Sequence, residues 1–326
     1  GARPQFIKSS VLSLEFKKFK KIKEVIVHTG QHYDQNMSDI FFKEFSLNRP
    51  NYILKSGGKP EVEMISYIMI NLMNIIKKEK PDLVIVFGDT TSTFAGAITA
   101  KKLLIPIMHI ESGVRNYDEK MPEEVNRYLV DRMSDINIAA SENCFKNLIS
   151  EGFGSKLLNK KTFYYGDLML DVFKIYQNKL KNSYNRFLKD FKVSKNKYIL
   201  CTIHRASNCD DHDTLNNIVK ALNKINKTDP IIFPMHPRTK KMIKKFKLKI
   251  EFNHISPVDY SSLLILLRDC KMVITDSGGL VRESFFQEKK SLFLLSNPVW
   301  PEINKLKCSI SSSIIEDKIL SNYKRI

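Results

Sequence analysis

The sequence predicts an α/β protein made of two doubly wound parallel sheets, each in its own Rossmann-like domain, with a cleft between them. Three observations carry that expectation. Short runs rich in Ile and Val alternate with longer amphipathic runs along nearly the whole chain, the pattern of parallel α/β sheets. Most of the short runs are continuously apolar, as strands covered on both faces must be. The length, 326 residues, gives room for about two domains of roughly 150 residues each. A chain of that size buries enough surface to need no disulfide or metal staple.

In order, the strand candidates are Glu24–His28, Leu83–Phe87, Ile105–His109, Ile136–Ala139, Tyr198–Ile203, Ile231–Met235, Met272–Thr275 and Ser291–Leu295. Helical patterns between them include Glu61–Lys78, Ser92–Leu104, Pro122–Met133, Thr214–Asn226 and Ser261–Cys270. A division falls near Gly166-Asp167 and is followed by a Lys-rich helical stretch to about Lys192 that holds no strand. The domains are therefore expected at 1–168 and 169–326.

Composition removes several function classes. Hydrophobic residues at 43% and charged residues at 27% exclude wholesale disorder. The longest apolar run, Ile65 to Ile76, is interrupted by Ser66, Asn71 and Asn74 and falls short of the ~20 residues that span a bilayer. No leader pattern opens the chain, so a soluble, cytoplasmic protein without membrane partners is expected. Five widely spaced cysteines, never in a C-x-x-C, argue against a disulfide framework or a zinc ribbon. A net charge of +18 invites a nucleic-acid reading. Yet the lysine runs Lys17–Lys23 and Lys240–Lys249 interleave with apolar residues at helical spacing, as solvated helix faces do. No helix-turn-helix, zinc finger or aromatic RNA-binding signature accompanies them, and no nucleic-acid partner is expected.

Open parallel sheets bind ligands beyond the carboxyl ends of their strands. There each apolar run ends in a polar cluster: His28-Thr-Gly-Gln-His32, Gly88-Asp-Thr-Thr-Ser92, His109-Ile-Glu-Ser-Gly113, Thr202-Ile-His-Arg205, His236-Pro-Arg-Thr239 and Thr275-Asp-Ser-Gly-Gly279. Single residues at such places are commonly caps and turns. Clusters from both halves at one edge mark the cleft as the functional site. Ser277-Gly278-Gly279 opens a helix after a strand, where backbone N–H groups and the helix dipole favour an anion, the alternative being a Gly-rich turn. It is neither a dinucleotide fingerprint nor a Walker loop. Glu283 is placed for a ribose, while Arg3, Arg205 and Arg238 suit a diphosphate. The first half supplies carboxylates, Asp89, Glu111, Glu123 and Glu124, suited to proton transfer. Alternatively, Glu111 and Glu123 pair with Arg115 and Arg127 as structural ion pairs. No residues have metal-ligand spacing.

These motifs resemble a known family. Gly1-Ala-Arg-Pro-Gln-Phe-Ile-Lys8, Gly88-Asp-Thr90, His109-Ile-Glu-Ser-Gly-Val-Arg115, Pro122-Glu-Glu-Val-Asn-Arg127, Thr202-Ile-His-Arg205 and Thr275-Asp-Ser-Gly-Gly279 are similar to those of the non-hydrolysing UDP-N-acetylglucosamine 2-epimerases, in order and over nearly the whole chain. Gln5, Thr29 to Met37 with Phe41-Phe42, His236-Pro-Arg-Thr239 and Trp300 resemble the branch that contains bacterial UDP-2,3-diacetamido-2,3-dideoxyglucuronate 2-epimerases. The resemblance implies a glycosyltransferase-B-like fold, no metal or nicotinamide cofactor, a homodimer, and epimerisation at C2 of a UDP-sugar by elimination and re-addition of UDP. It implies Asp89, Glu111 and Glu123 as acid/base groups and His204 at the leaving diphosphate. Arg3, Lys8, Arg205, His236, Ser277, Gly278 and Gly279 would hold UDP, with Glu283 on the ribose.

The sequence departs from the family pattern at Ser112, where Ala is usual, at Val281, where Gln is usual, and over Leu295-Ser-Asn-Pro-Val-Trp300, which lacks an Arg and a Thr-Glu pair. The family's first apolar strand would precede Gly1, and its last helix would extend past Ile326, so an incomplete first sheet and C-terminal helix are expected. The competing functions are a glycosyltransferase of the same architecture and a sugar-nucleotide-binding remnant.

Overall fold

The computed structural model describes residues 3–31, 49–156 and 158–326, except for the side chains of Arg3 and Pro4. His32, Met37, Phe41, Phe42 and the Arg3 side chain lie outside the described residues. The chain forms two compact units, Gly1–Val172 and Phe173–Ile326.

The first unit opens with helix α1 (Arg3–Phe16). Strands β1 (Val27–His28) and β2 (Tyr52–Ile53) pair in parallel as a ladder of their own. Helix α2 (Glu61–Glu79) then buries Met64, Ile68, Leu72 and Ile76, an i, i+4 stripe down one face. Strand β3 (Val84–Phe87) leads into α3 (Thr91–Lys102), whose cap Thr90 accepts from the Thr93 N–H. Small residues let α3 pack close, with Ala95, Ala97 and Ala100 fully buried. Strand β4 (Ile107–Ser112), helix α4 (Pro122–Met133), strand β5 (Ile136–Ala139), helix α5 (Glu142–Ser150) and strand β6 (Lys161–Tyr164) follow. The second ladder is parallel, in the order β3-β4-β5-β6.

Gly113, just after β4, has φ 78°, and a Cβ built on it would lie 2.2 Å from the Cys144 carbonyl oxygen. Both facts require glycine. Gly113→Ala is expected to lower stability by about 2–5 kcal/mol, from left-handed backbone strain plus overpacking, read as a shifted denaturant midpoint.

The division into units falls inside α6 (Leu168–Leu180). After α7 (Arg186–Asp190) come β7 (Ile199–Thr202), α8 (Ala206–Cys209), α9 (His212–Asn226), β8 (Ile231–Pro234), α10 (Pro237–Phe246), β9 (Asn253–Ile255) and α11 (Tyr260–Asp269). Then come β10 (Met272–Thr275), α12 (Gly278–Phe286), β11 (Ser291–Phe293), α13 (Pro301–Lys305), β12 (Ser309–Ser311) and α14 (Glu316–Arg325). The sheet is parallel with order β12-β11-β10-β7-β8-β9. The chain thus winds outward from β7 in one direction and returns to wind outward from β10 in the other. That is the doubly wound order, and its switch point lies between β7 and β10. The core on this sheet includes Ile199, Cys201, Leu222, Ile231, Ile274 and Leu292, with Ile319 of α14 at 0% exposure.

Four strands found here lie outside the sequence candidates: β2, β6, β9 and β12. β2, β6, β9 and β12 are each the last strand of a ladder. A strand with one neighbour needs no continuous apolar run, and β6 and β9 are largely exposed or half-buried. Among the described residues, no helix is long and apolar enough to cross a membrane.

Candidate active site

In the first unit the chemistry gathers where β3 and β4 end. The register of β4 on β5 shifts between Ile110 and Ser112, and Glu111, the residue passed over, has φ 71°. A bulge of this kind re-aims one side chain, and positive φ at a residue with a Cβ is costly unless the surroundings impose it. The Glu111 carboxylate lies beside the β3–α3 turn, 3.6 Å from where a Gly88 Cβ would sit. The Lys8 ammonium of α1 forms its ion pair, and Lys8 is almost wholly buried. Lys8 was expected at UDP; the structure seats it against the acid/base candidate.

Helix α1 is held in place by Gln5, whose Nε2 lies 2.7 Å from the Phe87 carbonyl and from the Thr90 and Thr93 hydroxyls. One amide thus joins α1 to the end of β3 and to the cap of α3.

Asp89 accepts from the Arg127 guanidinium, and its own carbonyl accepts from Asn126 Nδ2 at 3.0 Å. Arg127 also donates to Glu124 Oε2 at 2.7 Å, while Glu124 accepts from the Asn116 and Tyr117 N–H groups. Glu124 is therefore a brace for the 116–117 turn. Burial would lower the Arg127 guanidinium, but the facing Asp89 and Glu124 carboxylates raise it above its ordinary value. Glu123, in the first turn of α4, is half-buried and enters no ion pair with a described residue.

The structural alternative for Glu111 and Glu123 is corrected here. Arg115 pairs with Asp131 and Glu151, both at 2.8 Å, and Arg127 with Asp89 and Glu124. Neither arginine forms a direct ion pair with Glu111 or Glu123, although the Glu123 charge also acts on Arg127. The reason is position: Asp131 lies two turns along α4 from Glu124, facing inward at 0% exposure, and meets Arg115 first. Asp131 also binds His109 Nδ1 at 2.6 Å and the Gly113 N–H at 3.0 Å, while His109 Nε2 reaches the Gly88 carbonyl at 2.7 Å. His109 is thus a fully buried strut between the β3 and β4 ends. His28 has a similar place, stacked on Phe6 and accepting from the Gly30 N–H.

In the second unit the polar residues collect at the switch point. Asp276 follows β10 and is fully buried, and its carboxylate accepts from the His204 N–H (3.0 Å), the Arg205 N–H (2.9 Å) and Asn208 Nδ2 (3.2 Å). His204 Nδ1 lies 2.9 Å from the same carboxylate, and Arg205 Nε donates to the Asp276 carbonyl at 2.7 Å. Burial alone would raise the Asp276 carboxyl, but His204 and the backbone N–H groups hold it below the usual carboxylate range. The turn after β7 is thereby tied to the turn after β10.

Ser277 caps α12, accepting from the Leu280 N–H at 3.3 Å. Gly278 and Gly279 stand at its first positions, where small residues leave the N–H groups open to a ligand. Val299 lies 3.6 Å from where a Gly278 Cβ would sit, and Trp300 Nε1 donates to the Gly278 carbonyl at 3.0 Å. The Arg282 guanidinium lies over the Trp300 ring at 3.7 Å. The departing segment Leu295–Trp300 therefore supports the Ser277-Gly278-Gly279 turn from below. Glu283, on the next turn of α12, is 5% exposed. His236 caps α10, its Nδ1 accepting from the Arg238 N–H at 3.2 Å, and its ring centroid is 5.8 Å from that of His204. Arg238 itself pairs with Asp210.

Within the first unit Lys8 meets Glu111, with Asp89 on the adjoining β3–α3 turn; in the second, His204, Arg205 and His236 gather around the Asp276 turn that leads into Ser277, Gly278 and Gly279, with Glu283 one turn further along α12. Sequence reasoning gave no site role to Asp276, Asn208, Asp131 or Arg282.

The profile of the family described as UDP-N-acetylglucosamine 2-epimerase matches residues 14–326. The UDP-2,3-diacetamido-2,3-dideoxy-D-glucuronate 2-epimerase of Pseudomonas aeruginosa is 39% identical over 99% of this chain and 90% of its own length. The UDP-N-acetylglucosamine 2-epimerase of Methanocaldococcus jannaschii is 36% identical over 98% of this chain and 88% of its own. A crystal structure of the latter, in complex with UDP-GlcNAc and UDP, superposes with a TM-score of 0.92 over 99% of this chain and 90% of that one, at 34% identity. The fold is the glycosyltransferase-B-like α/β fold that the resemblance implies. The polar clusters that follow the parallel strands, the ordered motifs and these matches converge: the chain belongs to the UDP-N-acetylglucosamine 2-epimerase family.

Proposed function

We propose that this protein inverts C2 of a UDP-linked N-acetylated sugar, UDP-GlcNAc or its 2,3-diacetamido-glucuronate counterpart, by eliminating UDP and adding it back. The observation that carries the reading is Glu111, set by a strand bulge at positive φ beside Gly88 with Lys8 as its counter-ion. A carboxylate held this way is a fixed proton acceptor rather than a solvated surface charge. Glu111 takes the C2 proton; the C2–H electron pair becomes the C1=C2 double bond, and the C1–O pair leaves with UDP. UDP then re-adds through its oxygen at C1, and a proton is delivered to the opposite face of C2. Glu123 and Asp89 are the candidates for that second proton, Glu123 being the freer of the two.

A C2 proton is weakly acidic, so departure of UDP must be assisted by fixed dipoles and positive charge. The N–H groups of Gly278 and Gly279 at the start of α12, the Arg205 side chain and His204 supply them, with Glu283 on the ribose. As the resemblance implies, the working form is a cytoplasmic homodimer acting without metal or nicotinamide, on precursors of surface polysaccharide.

Incubating the protein with each of the two UDP-sugars and following C2 by NMR tests the proposal. Appearance of the C2 epimer supports it and names the sugar. A sugar that binds but stays unchanged contradicts it and favours a sugar-nucleotide-binding remnant. Glu283→Ala is expected to weaken UDP binding by about 1–3 kcal/mol, the usual cost of stranding ribose hydroxyls in a closed site, as calorimetry would read.

A further inference from the structure

The geometry points to Asp276 as the residue that fixes the tautomer of His204, so that UDP binding draws a proton onto His204 Nε2. This rests on the UDP reading above and adds to it a positioning residue and a proton linkage. The Asp276 carboxylate is fully buried, and among the described residues the groups bonded to it are donors: the His204 and Arg205 N–H groups, Asn208 Nδ2 and His204 Nδ1. It stays ionised, so Nδ1 must carry hydrogen to meet it. In the neutral ring the lone pair then lies on Nε2, at the part of the His204 side chain that is not engaged; that side chain is 42% exposed.

A lone pair facing phosphate oxygens is repulsive. An Nε2–H is attractive, and the buried Asp276 charge balances the imidazolium, the role an aspartate plays behind a catalytic histidine elsewhere. When UDP leaves C1, that Nε2–H donates to the oxygen gaining charge. Among the described residues, the charged and titratable groups near the ring besides Asp276 are Arg205, on the same turn, and His236, from α10. His236 already spends its Nδ1 lone pair on the Arg238 N–H, and Arg238 is paired with Asp210. Neither offers an alternative acceptor for His204 Nδ1–H.

The test is nitrogen NMR of the ring in 15N-histidine-labelled protein, assigned by the signal missing in His204→Gln, recorded without ligand at a pH where the ring is neutral. The expected result is an Nδ1–H tautomer in the wild type, lost or reversed in Asp276→Asn. Alongside it, calorimetry of UDP binding in buffers of different ionisation enthalpy should show proton uptake in the wild type. Asp276→Asn should reduce that uptake and weaken UDP about 10–100-fold. Asn208→Ala removes a different donor from the same carboxylate and should keep the tautomer. An Nε2–H tautomer in the wild type overturns the inference even if Asp276→Asn fails to fold. So does UDP binding without proton uptake, or with wild-type affinity in Asp276→Asn. A protein that shows the tautomer and the uptake but no C2 epimer leaves this inference standing and sinks the reaction instead.

Discussion

Replacing Glu111 by Gln should lower proton exchange at C2 of the UDP-sugar by about 10²–10⁴-fold, the usual contribution of a general acid/base group, while UDP affinity stays near wild type. Gln keeps the size of the side chain and an oxygen for Lys8 to donate to, so the β4 bulge should persist. What is lost is the basic oxygen. The contrast with Asp89 sharpens the test, because Asp89 is tied down by Arg127 and its carbonyl by Asn126. Asp89→Asn should therefore cost stability as well as rate. If Glu111→Gln instead lowers the melting temperature and leaves exchange per folded molecule unchanged, Glu111 is only the partner of Lys8. Single-turnover exchange and UDP calorimetry on the same preparation separate the two cases.

Asp131→Ala is expected to be the most destabilising of the single substitutions considered, by about 3–5 kcal/mol. Asp131 is fully buried and serves His109, the Gly113 N–H and Arg115 together. Its removal leaves the buried Arg115 with Glu151 as its remaining counter-ion among the described residues and strands two further donors. Burial would raise the Asp131 carboxyl, but His109 and Arg115 hold it below the ordinary carboxylate value. A lowered folded value means that its contribution is fully present above the unfolded carboxylate range, near pH 4, and is lost as pH falls through the lower folded value. The stability gap between wild type and Asp131→Ala should accordingly be widest near neutrality and shrink in acid. Urea titrations of both proteins over a pH series would show it; a gap that is constant or grows below about pH 4 would remove the ion pair from the account.

How far the sequence speaks differs between elements for physical reasons. Met272–Thr275, buried at every position, reads as an apolar run closed by Thr275, and Ile136–Ala139 keeps the same bounds in sequence and structure although it seats Asn137. Helix Pro122–Met133 is equally legible, with Pro at its first turn and an acidic pair behind it. Outermost strands such as Lys161–Tyr164 and Asn253–Ile255 are held by backbone hydrogen bonds to one neighbour, which leave no mark on residue type. Among the site residues, Glu111, His204 and Ser277 announce themselves by lying in polar clusters after strands. Their partners do not. Asp131 acts on Arg115 and His109 from a different element, and Asp276 looks in the sequence like one more turn residue although it bonds to three residues of the turn after β7. Pairings of that kind depend on strand order, and nothing local in the sequence states that β10 lies beside β7. The segment Leu295–Trp300 reads in the sequence as a lost anchor, whereas its Trp300 supports the Gly278 carbonyl and covers Arg282.

The central claim is that UDP is eliminated from the sugar as the C2 proton is removed, and then returns. The most direct measurement is to run the reaction in D2O with UDP-GlcNAc, and separately with the 2,3-diacetamido-glucuronate sugar, and to read C2 by NMR. The account predicts one deuterium at C2 of the epimer formed from the sugar that this protein uses, and none at any other carbon. An epimer that keeps its original C2 proton, or deuterium settling at a different carbon, would contradict it.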